Sequence, residues 1–300
     1  MDRGRLARSR CSKLAHDEVR SHMDAPPISL MTLQFFRRIV RGYFRRHFHA
    51  IRVSGAERFS TLAKSDAGPV IVYANHSSWW DPMISVYLAE RLMDTRRHYA
   101  PMDLAALERY AILKRVGIFG VEMNSARGAA KFLKTSEAIL LAGGVVWITP
   151  QGRFVDGRAR PLEFKPGLAA LASRVAARSG GCTVVPLAIE YPFWDERLPE
   201  CLLHFGEPLK VESGQSSETV QQQLVKLLET SMNALREMAM QRDARNFDTL
   251  SRGKLGTGGF YGRWQRLKAS LTSQPYHAEH TLMPTRGSDP ASCTEHSDDT

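Results

Sequence analysis

The fold is decided by the stretch Val70-Ile71-Val72-Tyr73-Ala74-Asn75-His76-Ser77-Ser78-Trp79-Trp80-Asp81-Pro82. Its first residues are mostly β-branched or aromatic, which is the composition of a buried strand. The strand stops at a polar cluster, and reactive side chains are often found where a strand ends and a loop begins. The stretch therefore predicts a buried strand that delivers polar groups to one edge of a sheet.

His76 and Asp81 in this stretch have the residue types of a general base and its orienting partner. Histidine is the side chain whose ordinary pKa lies nearest neutrality, so it suits proton transfer. A carboxylate on the far ring nitrogen fixes the tautomer and stabilises the imidazolium that forms. The alternative is a histidine that is hydrogen-bonded locally in a turn.

A second histidine, His98, also has an aspartate five positions later, Asp103, so the spacing alone is weak support. The context separates the two pairs. His76 follows an apolar strand, and Asp81 precedes Pro82, a residue that suits the first turn of a helix. We therefore interpret His76 and Asp81 as the candidate pair and expect no comparable role for His98.

Strand-like and helix-like segments alternate from about residue 51, which favours an α/β fold. Two of the strands are apolar on both faces, as in the interior of a sheet that is covered on both sides. We predict a mixed, largely parallel sheet flanked by helices. The predicted strands are 69–73, 145–149 and 183–189, and the predicted helices are 82–93, 126–142, 167–179 and 217–241.

Composition divides the chain into five predicted regions. Its 300 residues, 43% of them hydrophobic, can build one sizeable core. The polar, Pro- and Ser-rich end of the chain has the composition of a disordered segment. The regions are a basic flexible arm (1–28), an amphipathic helix (29–50), a single α/β domain (51–245), a basic loop with a short helix (246–271) and a disordered tail (272–300).

The segment 29–50 is predicted to be a helix with Ser29 as its cap. Its apolar side is formed by Leu33, Phe36, Val40, Tyr43, Phe44 and Phe48, with Arg38, Arg41 and Arg45 beside it and Arg37 within it. A basic, aromatic-rich amphipathic helix is typical of segments that lie in a membrane interface. The alternative is a helix packed on the protein's own core with a solvated arginine edge.

The charge of the chain is uneven and indicates an anionic partner. The net charge is +10, and residues 1–60 hold 13 Lys or Arg against 5 Asp or Glu. Such asymmetry is typical of proteins that bind nucleic acid or an anionic membrane surface. No nucleic-acid-binding motif accompanies the basic segments, so we favour the membrane surface. The sequence contains no run of about 18 apolar residues, so we predict no membrane-spanning helix.

Four scattered cysteines, at positions 11, 182, 201 and 293, show no CxxC spacing. They predict neither a disulfide framework nor a zinc site, and they fit a reducing compartment. His76 and Asp81 lack further metal-binding side chains close by in the sequence, so we expect no metal. The Arg-rich N-terminus has no following apolar stretch, so we predict no secretory signal.

Three further blocks follow the histidine block in order. They are Gly117-Ile118-Phe119-Gly120-Val121-Glu122, Pro150-Gln151-Gly152-Arg153 and Val185-Pro186-Leu187. A glycine permits the backbone turn in the second of these, and an arginine there can hold an anion by two contacts or remain a solvated turn residue. Together with Asn75-His76 and Asp81, the series resembles the PlsC-like (1-acylglycerol-3-phosphate acyltransferase-like) glycerolipid acyltransferase family over about residues 51–215.

The resemblance implies an O-acyltransferase of lipid or phospholipid metabolism. His76 would take the proton from an acceptor hydroxyl as that oxygen attacks an acyl thioester, and Asp81 would orient His76. The donor would be acyl-CoA or acyl carrier protein with no other cofactor, and the acceptor a lysophospholipid, a glycolipid or another lipid alcohol. The protein would be peripheral to the cytoplasmic face of the membrane. The implied substrate-binding residues are Asn75, Glu122, Gln151, Gly152 and Arg153.

Two positions depart from the family pattern and bear on the acceptor. Met123 stands where the family generally has a phosphate-binding arginine, and Gln151 stands where it has a glutamate. These changes favour a neutral or differently charged acceptor. The alternatives to an acyltransferase are a thioesterase or other hydrolase with the same base, and a non-catalytic lipid-binding protein. The aromatic and acidic segment 190–200 is either a sugar-binding surface or a loop packed on the sheet edge.

Overall fold

The computed structural model describes residues 25–64 and 67–253 of the chain. In this part the longer helices are α1 (Leu30–His47), α2 (Asp81–Leu92), α3 (Leu104–Arg109), α4 (Ala126–Leu141), α5 (Gly167–Ser179) and α6 (Ser217–Gln241). Short helical turns lie at Glu57–Ser60, Thr61–Ala63, Ala111–Val116 and Ala244–Asn246. The strands are β1 (Ala50–Ser54), β2 (Val70–Ala74), β3 (His98–Asp103), β4 (Ile118–Val121), β5 (Val145–Ile148), β6 (Cys182–Glu190), β7 (Glu200–Phe205), β8 (Leu209–Val211) and β9 (Asp248–Arg252).

These strands form one mixed sheet in the order β4-β3-β5-β2-β6-β7-β1-β9, with β8 paired to β6. The five strands from β4 to β6 are mutually parallel. Strand β7 is antiparallel to β6 and parallel to β1, while β9 is antiparallel to β1. The prediction of a mixed, largely parallel sheet flanked by helices is confirmed.

Helices cover both faces of the sheet, and each face has its own hydrophobic core. Successive side chains of a strand point to opposite faces. In β2, Ile71 and Tyr73 therefore join one core with α4, α5 and α6. Val70 and Val72 join the other core with α1 and α2. Because both faces are buried, the central strands are apolar at every position, which is the pattern that the sequence presents.

Helix α1 packs on the protein with the side that was predicted to face a membrane. Ser29 Oγ caps the helix as predicted, but Val40, Phe44 and Phe48 lie in the core beside α2. Arg37 is also buried and forms an ion pair with Asp94. For this side of the helix, the structure therefore supports the alternative of packing on the protein's own core. Its outward side carries a different apolar set, Leu30, Met31, Phe35 and Ile39.

Several strands were not predicted, and two of them, β3 and β9, lack a clear apolar pattern. Strand β3 begins at His98 and is mostly half-buried. Strand β9, with the sequence Asp-Thr-Leu-Ser-Arg, pairs with β1 at the edge of the sheet. The prediction of a basic loop over 246–271 is therefore wrong for 248–252, and the sheet extends past residue 245.

The predicted arm up to residue 24 and the predictions for 254–300 lie outside the described residues. Among the described helices, none combines the length and hydropathy that crossing a bilayer requires.

Candidate active site

Three neighbouring parallel strands bring the candidate residues to one edge of the sheet. Strand β2 lies between β5 and β6, and all three run in the same direction. His76 follows β2, Gln151 follows β5 and Tyr191 follows β6. The carboxyl ends of parallel strands are where α/β proteins place their ligands. The topology therefore gathers residues from three distant parts of the chain at a position that suits a binding site.

His76 and Asp81 are in direct contact at this edge. His76 Nδ1 lies 2.8 Å from Asp81 Oδ2, and the Asp81 side chain is buried while that of His76 is 16% exposed. The same oxygen accepts hydrogen bonds from the backbone amides of Ser77 and Ser78, each at 3.0 Å. Asp81 is also the first residue of α2, where the helix dipole favours a negative charge. The turn that follows β2 thus fixes the position of Asp81 Oδ2.

This contact determines which ring nitrogen of His76 is available for chemistry. A carboxylate only accepts hydrogen bonds, so Nδ1 of His76 carries the proton that it donates to Asp81. In the neutral ring, Nε2 then holds a lone pair. No described group forms a hydrogen bond with Nε2. The arrangement is therefore that of a general base with an orienting carboxylate. Among the described residues, no cluster of His, Cys, Asp and Glu side chains is placed to hold a metal ion.

Asn75 and Gln151 hold the loop around His76 through hydrogen bonds to the protein backbone. Asn75 is buried, donates to the Ile189 carbonyl at 3.0 Å and accepts from the Ile189 amide at 2.8 Å, which ties β2 to β6 beyond its last ladder pair. Gln151 is buried as well, and its Oε1 accepts from the His76 amide at 3.0 Å. These two predicted substrate-binding side chains thus support the backbone at His76 and at the residue before it.

The turn after β5 lies against the His76 ring. Gly152 has φ +63°, a backbone conformation that favours glycine, and the Lys165 side chain crosses over it. Arg153 is exposed and forms an ion pair with Glu163. The exposed ring of Phe154 has its centroid 4.3 Å from that of His76. The sequence reasoning did not single out Phe154, although it directly follows the Pro-Gln-Gly-Arg block.

Glu122 follows β4, and two strands, β3 and β5, separate β4 from β2. Its carboxylate is exposed and accepts a hydrogen bond from Ser125 Oγ at 3.1 Å. The nearby Asn124 accepts from Lys165 Nζ at 3.2 Å. Lys165 therefore connects the turn after β4 with Gly152 in the turn after β5, and no described contact joins Glu122 to His76.

The 190–200 segment contributes one contact to the pair of His76 and Asp81, which we call the dyad. The Tyr191 hydroxyl donates to Asp81 Oδ1 at 2.6 Å. Trp194 Nε1 donates to the Ala239 carbonyl, and Asp195 pairs with Arg242. These contacts favour a loop packed on the sheet edge over a sugar-binding surface for most of the segment, while Phe193 is exposed.

His98 and Asp103, the second pair with the same spacing, are not hydrogen-bonded to each other. His98 Nε2 donates to the Met93 carbonyl at 2.7 Å, and Nδ1 accepts from Trp147 Nε1 at 3.0 Å. Burial lowers the pKa of His98 to about 4, so the ring is neutral near pH 7. Asp103 instead caps α3 by accepting from the Ala106 amide. Both nitrogens of His98 are occupied, as in a structural core histidine.

Comparison with known proteins identifies one matching family model, which is described as Acyltransferase and matches residues 50–190. No curated protein gives a significant match. Among solved structures, the chain is similar to the 1-acyl-sn-glycerophosphate (LPA) acyltransferase PlsC from Thermotoga maritima, with a TM-score of 0.45 and 20% sequence identity. That match covers 68% of this chain and 79% of the other. The range matched by the family model begins at β1 and ends with β6, so it contains His76, Asp81 and Gln151.

Proposed function

Because the chain belongs to the acyltransferase family, we propose that this acyltransferase moves a fatty acyl group from acyl-CoA or acyl carrier protein to a hydroxyl group of a lipid acceptor. The contact between His76 and Asp81 supports this function, since it supplies a base at the carboxyl edge of the sheet whose Nε2 forms no hydrogen bond with the described residues. Transfer to a hydroxyl needs such a base, because the hydroxyl proton must leave as its oxygen attacks.

The proposed reaction needs no acyl-enzyme intermediate. His76 Nε2 takes the proton of the acceptor hydroxyl while the hydroxyl oxygen attacks the carbonyl carbon of the thioester. The tetrahedral intermediate collapses by breaking the carbon–sulfur bond, and the imidazolium returns the proton to the departing thiolate. Asp81 stabilises the imidazolium during both steps. The products are the acyl ester and a free thiol, so atoms and charge balance.

The residues of the two turns favour an acceptor without a phosphate at the usual family position. Met123 carries no charge, and Gln151 uses its oxygen on the His76 amide. Arg153 already pairs with Glu163. We therefore favour a neutral or differently charged acceptor, such as a glycolipid or another lipid alcohol. An activity on lysophosphatidic acid that exceeds the activity on a monoacylglycerol and an alkyl glucoside would contradict this preference.

We also propose that the protein binds peripherally to an anionic membrane, at the cytoplasmic face, through the outward side of α1. Met31, Phe35 and Ile39 are exposed and recur every four residues, so they lie on one side of the helix. Arg38 and Arg45 are exposed next to them. Apolar side chains flanked by arginines suit the boundary between acyl chains and anionic head groups.

The far end of this helix lies beside the candidate active site. The ring of Tyr43 is 5.6 Å from that of Trp79, an exposed residue in the loop between His76 and Asp81. A membrane bound along α1 would therefore reach the neighbourhood of His76. This position suits an enzyme whose acceptor and acyl chain are both found in the bilayer, and contact with lipid would help to exclude water from the thioester.

The His76→Ala variant tests the proposed chemistry. With palmitoyl-CoA as the donor, loss of one general base is expected to lower the rate of CoA release in the presence of acceptor by about 10²–10⁴-fold. His204→Ala is a matched control, because His204 is also a partly buried histidine whose Nδ1 contacts a single oxygen, that of Ser54. An unchanged rate in folded His76→Ala would refute the proposed base. Release of free palmitate instead of acceptor ester would indicate a thioesterase.

Vesicle co-sedimentation tests the membrane surface. The double variant Arg38→Gln/Arg45→Gln is expected to release the full-length protein from phosphatidylglycerol-containing vesicles, because each basic residue contributes about 1 kcal/mol near an anionic surface. The control Lys131→Gln/Lys134→Gln removes the same charge from exposed positions of α4, which packs on the other face of the sheet. Equal binding by the two double variants would assign the membrane contact to another part of the chain.

A further inference from the structure

Tyr191 contacts the candidate dyad from the side opposite to His76. Its hydroxyl donates to Asp81 Oδ1 at 2.6 Å, whereas His76 Nδ1 occupies Oδ2 at 2.8 Å. The two carboxylate oxygens thus have different partners. We propose that Tyr191 is a positioning residue for acyl transfer, which locks the Asp81 carboxylate in the orientation that presents Oδ2 to His76. This inference rests on the proposed function of the dyad and adds a third side chain to it.

The aromatic ring of Tyr191 is held firmly enough for this role. It follows the last residue of β6, so the sheet fixes its backbone. Its ring packs edge-on against Trp80 with centroids 5.2 Å apart, and against Phe48 at 5.7 Å. Trp80 directly precedes Asp81, so the same turn supports both ends of the hydrogen bond. The hydroxyl is therefore presented to Oδ1 by groups that come from β6, α2 and the end of α1.

The hydrogen bond has an orienting effect and an electrostatic effect. Without a donor at Oδ1, the Asp81 carboxylate keeps its contacts through Oδ2 alone and gains freedom to rotate. A donor at Oδ1 also withdraws part of the negative charge, as hydrogen bonds to an ionised group are the stronger kind. Removing that donor leaves a more negative carboxylate, which holds the imidazolium form of His76 more tightly. A tighter imidazolium means that a higher pH is needed for the neutral base.

The ionisable groups that surround Asp81 allow this effect to be read from a pH profile. Burial raises the pKa of Tyr191 well above 10, so the phenol donates throughout the working range. Burial likewise raises the pKa of the Cys201 thiol well above 9. Glu200, the neighbour of Cys201 on β7, is paired with both Arg52 and His49, and its hydrogen bond raises the pKa of His49. Burial raises the pKa of Glu190, the residue before Tyr191. Neither the phenol nor the thiol ionises near neutral pH, but His49 and Glu190 also titrate on the acid side, so the effect of the hydroxyl is read as the shift of the acid limb in Tyr191→Phe relative to the wild type, both of which keep His49 and Glu190.

The test compares Tyr191→Phe with Tyr87→Phe in the full-length protein. Tyr191→Phe keeps the ring that packs on Trp80 and Phe48 and removes only the hydroxyl. Tyr87→Phe is matched, because Tyr87 is also a buried tyrosine, lies on the helix that begins with Asp81, and donates its hydroxyl to the Leu250 carbonyl at 3.2 Å. Steady-state rates are measured with palmitoyl-CoA and the best acceptor of lysophosphatidic acid, a monoacylglycerol and an alkyl glucoside, from pH 5 to pH 9.

We expect Tyr191→Phe to lower kcat by about tenfold with little change in either KM, and to move the acid limb of the profile to higher pH. Tyr87→Phe should leave both kcat and the acid limb unchanged. A fall in melting temperature without a change in kcat or in the acid limb would make Tyr191 a packing residue and overturn the inference. An unchanged rate in His76→Ala would refute the proposed function itself. If His76→Ala loses activity while Tyr191→Phe has the kcat and acid limb of the wild type, only the role of Tyr191 is overturned.

Discussion

Replacing Asp81 with asparagine removes one charge from the candidate active site while it keeps the shape of the side chain. Asp81 Oδ2 accepts from His76 and from the amides of Ser77 and Ser78. The asparagine oxygen can take over these contacts, and its amide group can donate to the oxygen of Tyr191, whose hydroxyl can rotate. We therefore expect the turn to keep its backbone, so that a loss of rate reports the lost charge.

The magnitude follows from the distance between His76 and Asp81. The closest nitrogen and oxygen are 2.8 Å apart, which places the two charge centres about 4 Å apart, and the interaction at an effective dielectric constant of about 20 is then about 4 kcal/mol. Since about 1.4 kcal/mol corresponds to a tenfold change in rate, the variant is expected to lose about 10³-fold in kcat/KM. Its free energy of unfolding should fall by only about 1–3 kcal/mol, because the hydrogen bonds remain but lose their charge assistance.

The assay measures CoA release from palmitoyl-CoA in the presence of a lipid alcohol, alongside thermal melts by circular dichroism. The control is Asp103→Asn, which makes the same substitution in the second histidine–aspartate pair. Asp103 caps α3, and asparagine is an equally good cap, so the rate and the melting temperature should both stay near those of the wild type. A folded Asp81→Asn variant that retains more than about a tenth of the wild-type kcat/KM would refute the electrostatic role of Asp81.

Two further predictions concern groups near the site. Burial lowers the pKa of His98 to about 4, below its ordinary value of about 6.5, so the unfolded chain binds the proton first and stability is lost as the pH falls from 6.5 towards 4. Urea unfolding at pH 7 and pH 5 should therefore show about 2 kcal/mol more loss for the wild type than for His98→Gln, and equal losses would contradict the buried neutral ring. Gly152→Ala should lower the free energy of unfolding by about 1 kcal/mol or more and slow the reaction, because Gly152 has φ +63°. Gly157→Ala, at a position with open space and no positive φ, is the control and should be tolerated, and equal effects of the two changes would remove the backbone argument.

Local patterns in the sequence were enough to predict the elements with strong periodicity. The predicted bounds of α5 and α6 agree with the structure at both ends. Helix α6 is amphipathic along its whole length and starts at a serine cap, so residues next to one another in the sequence indicate where it begins and ends. Strand β3 mixes His, Pro and Asp with apolar residues, and β9 is mostly polar and partly exposed, so no local pattern distinguishes them from loops. They become strands because neighbouring strands supply their hydrogen bonds.

The side of α1 that packs on the protein was a question that local pattern could not answer. The helix has apolar residues on two sides, and amphipathicity alone does not say which side meets the core. The structure places Val40 and Phe44 against α2 and leaves Met31, Phe35 and Ile39 exposed. The side of α1 that remains exposed to contact a membrane is therefore not the side that was predicted from the sequence.

The sequence by itself determined the pair His76 and Asp81, because both residues lie in one short stretch, His76 in the turn after β2 and Asp81 at the start of α2. Local geometry alone brings residues five positions apart together there. Only the tertiary structure decided which other residues contact the dyad. Tyr191, Gln151 and Phe154 reach it because β5, β2 and β6 lie side by side. Asp81 and Tyr191 are 110 positions apart in the chain, and a contact at that separation depends on strand order, which no local pattern of residues specifies.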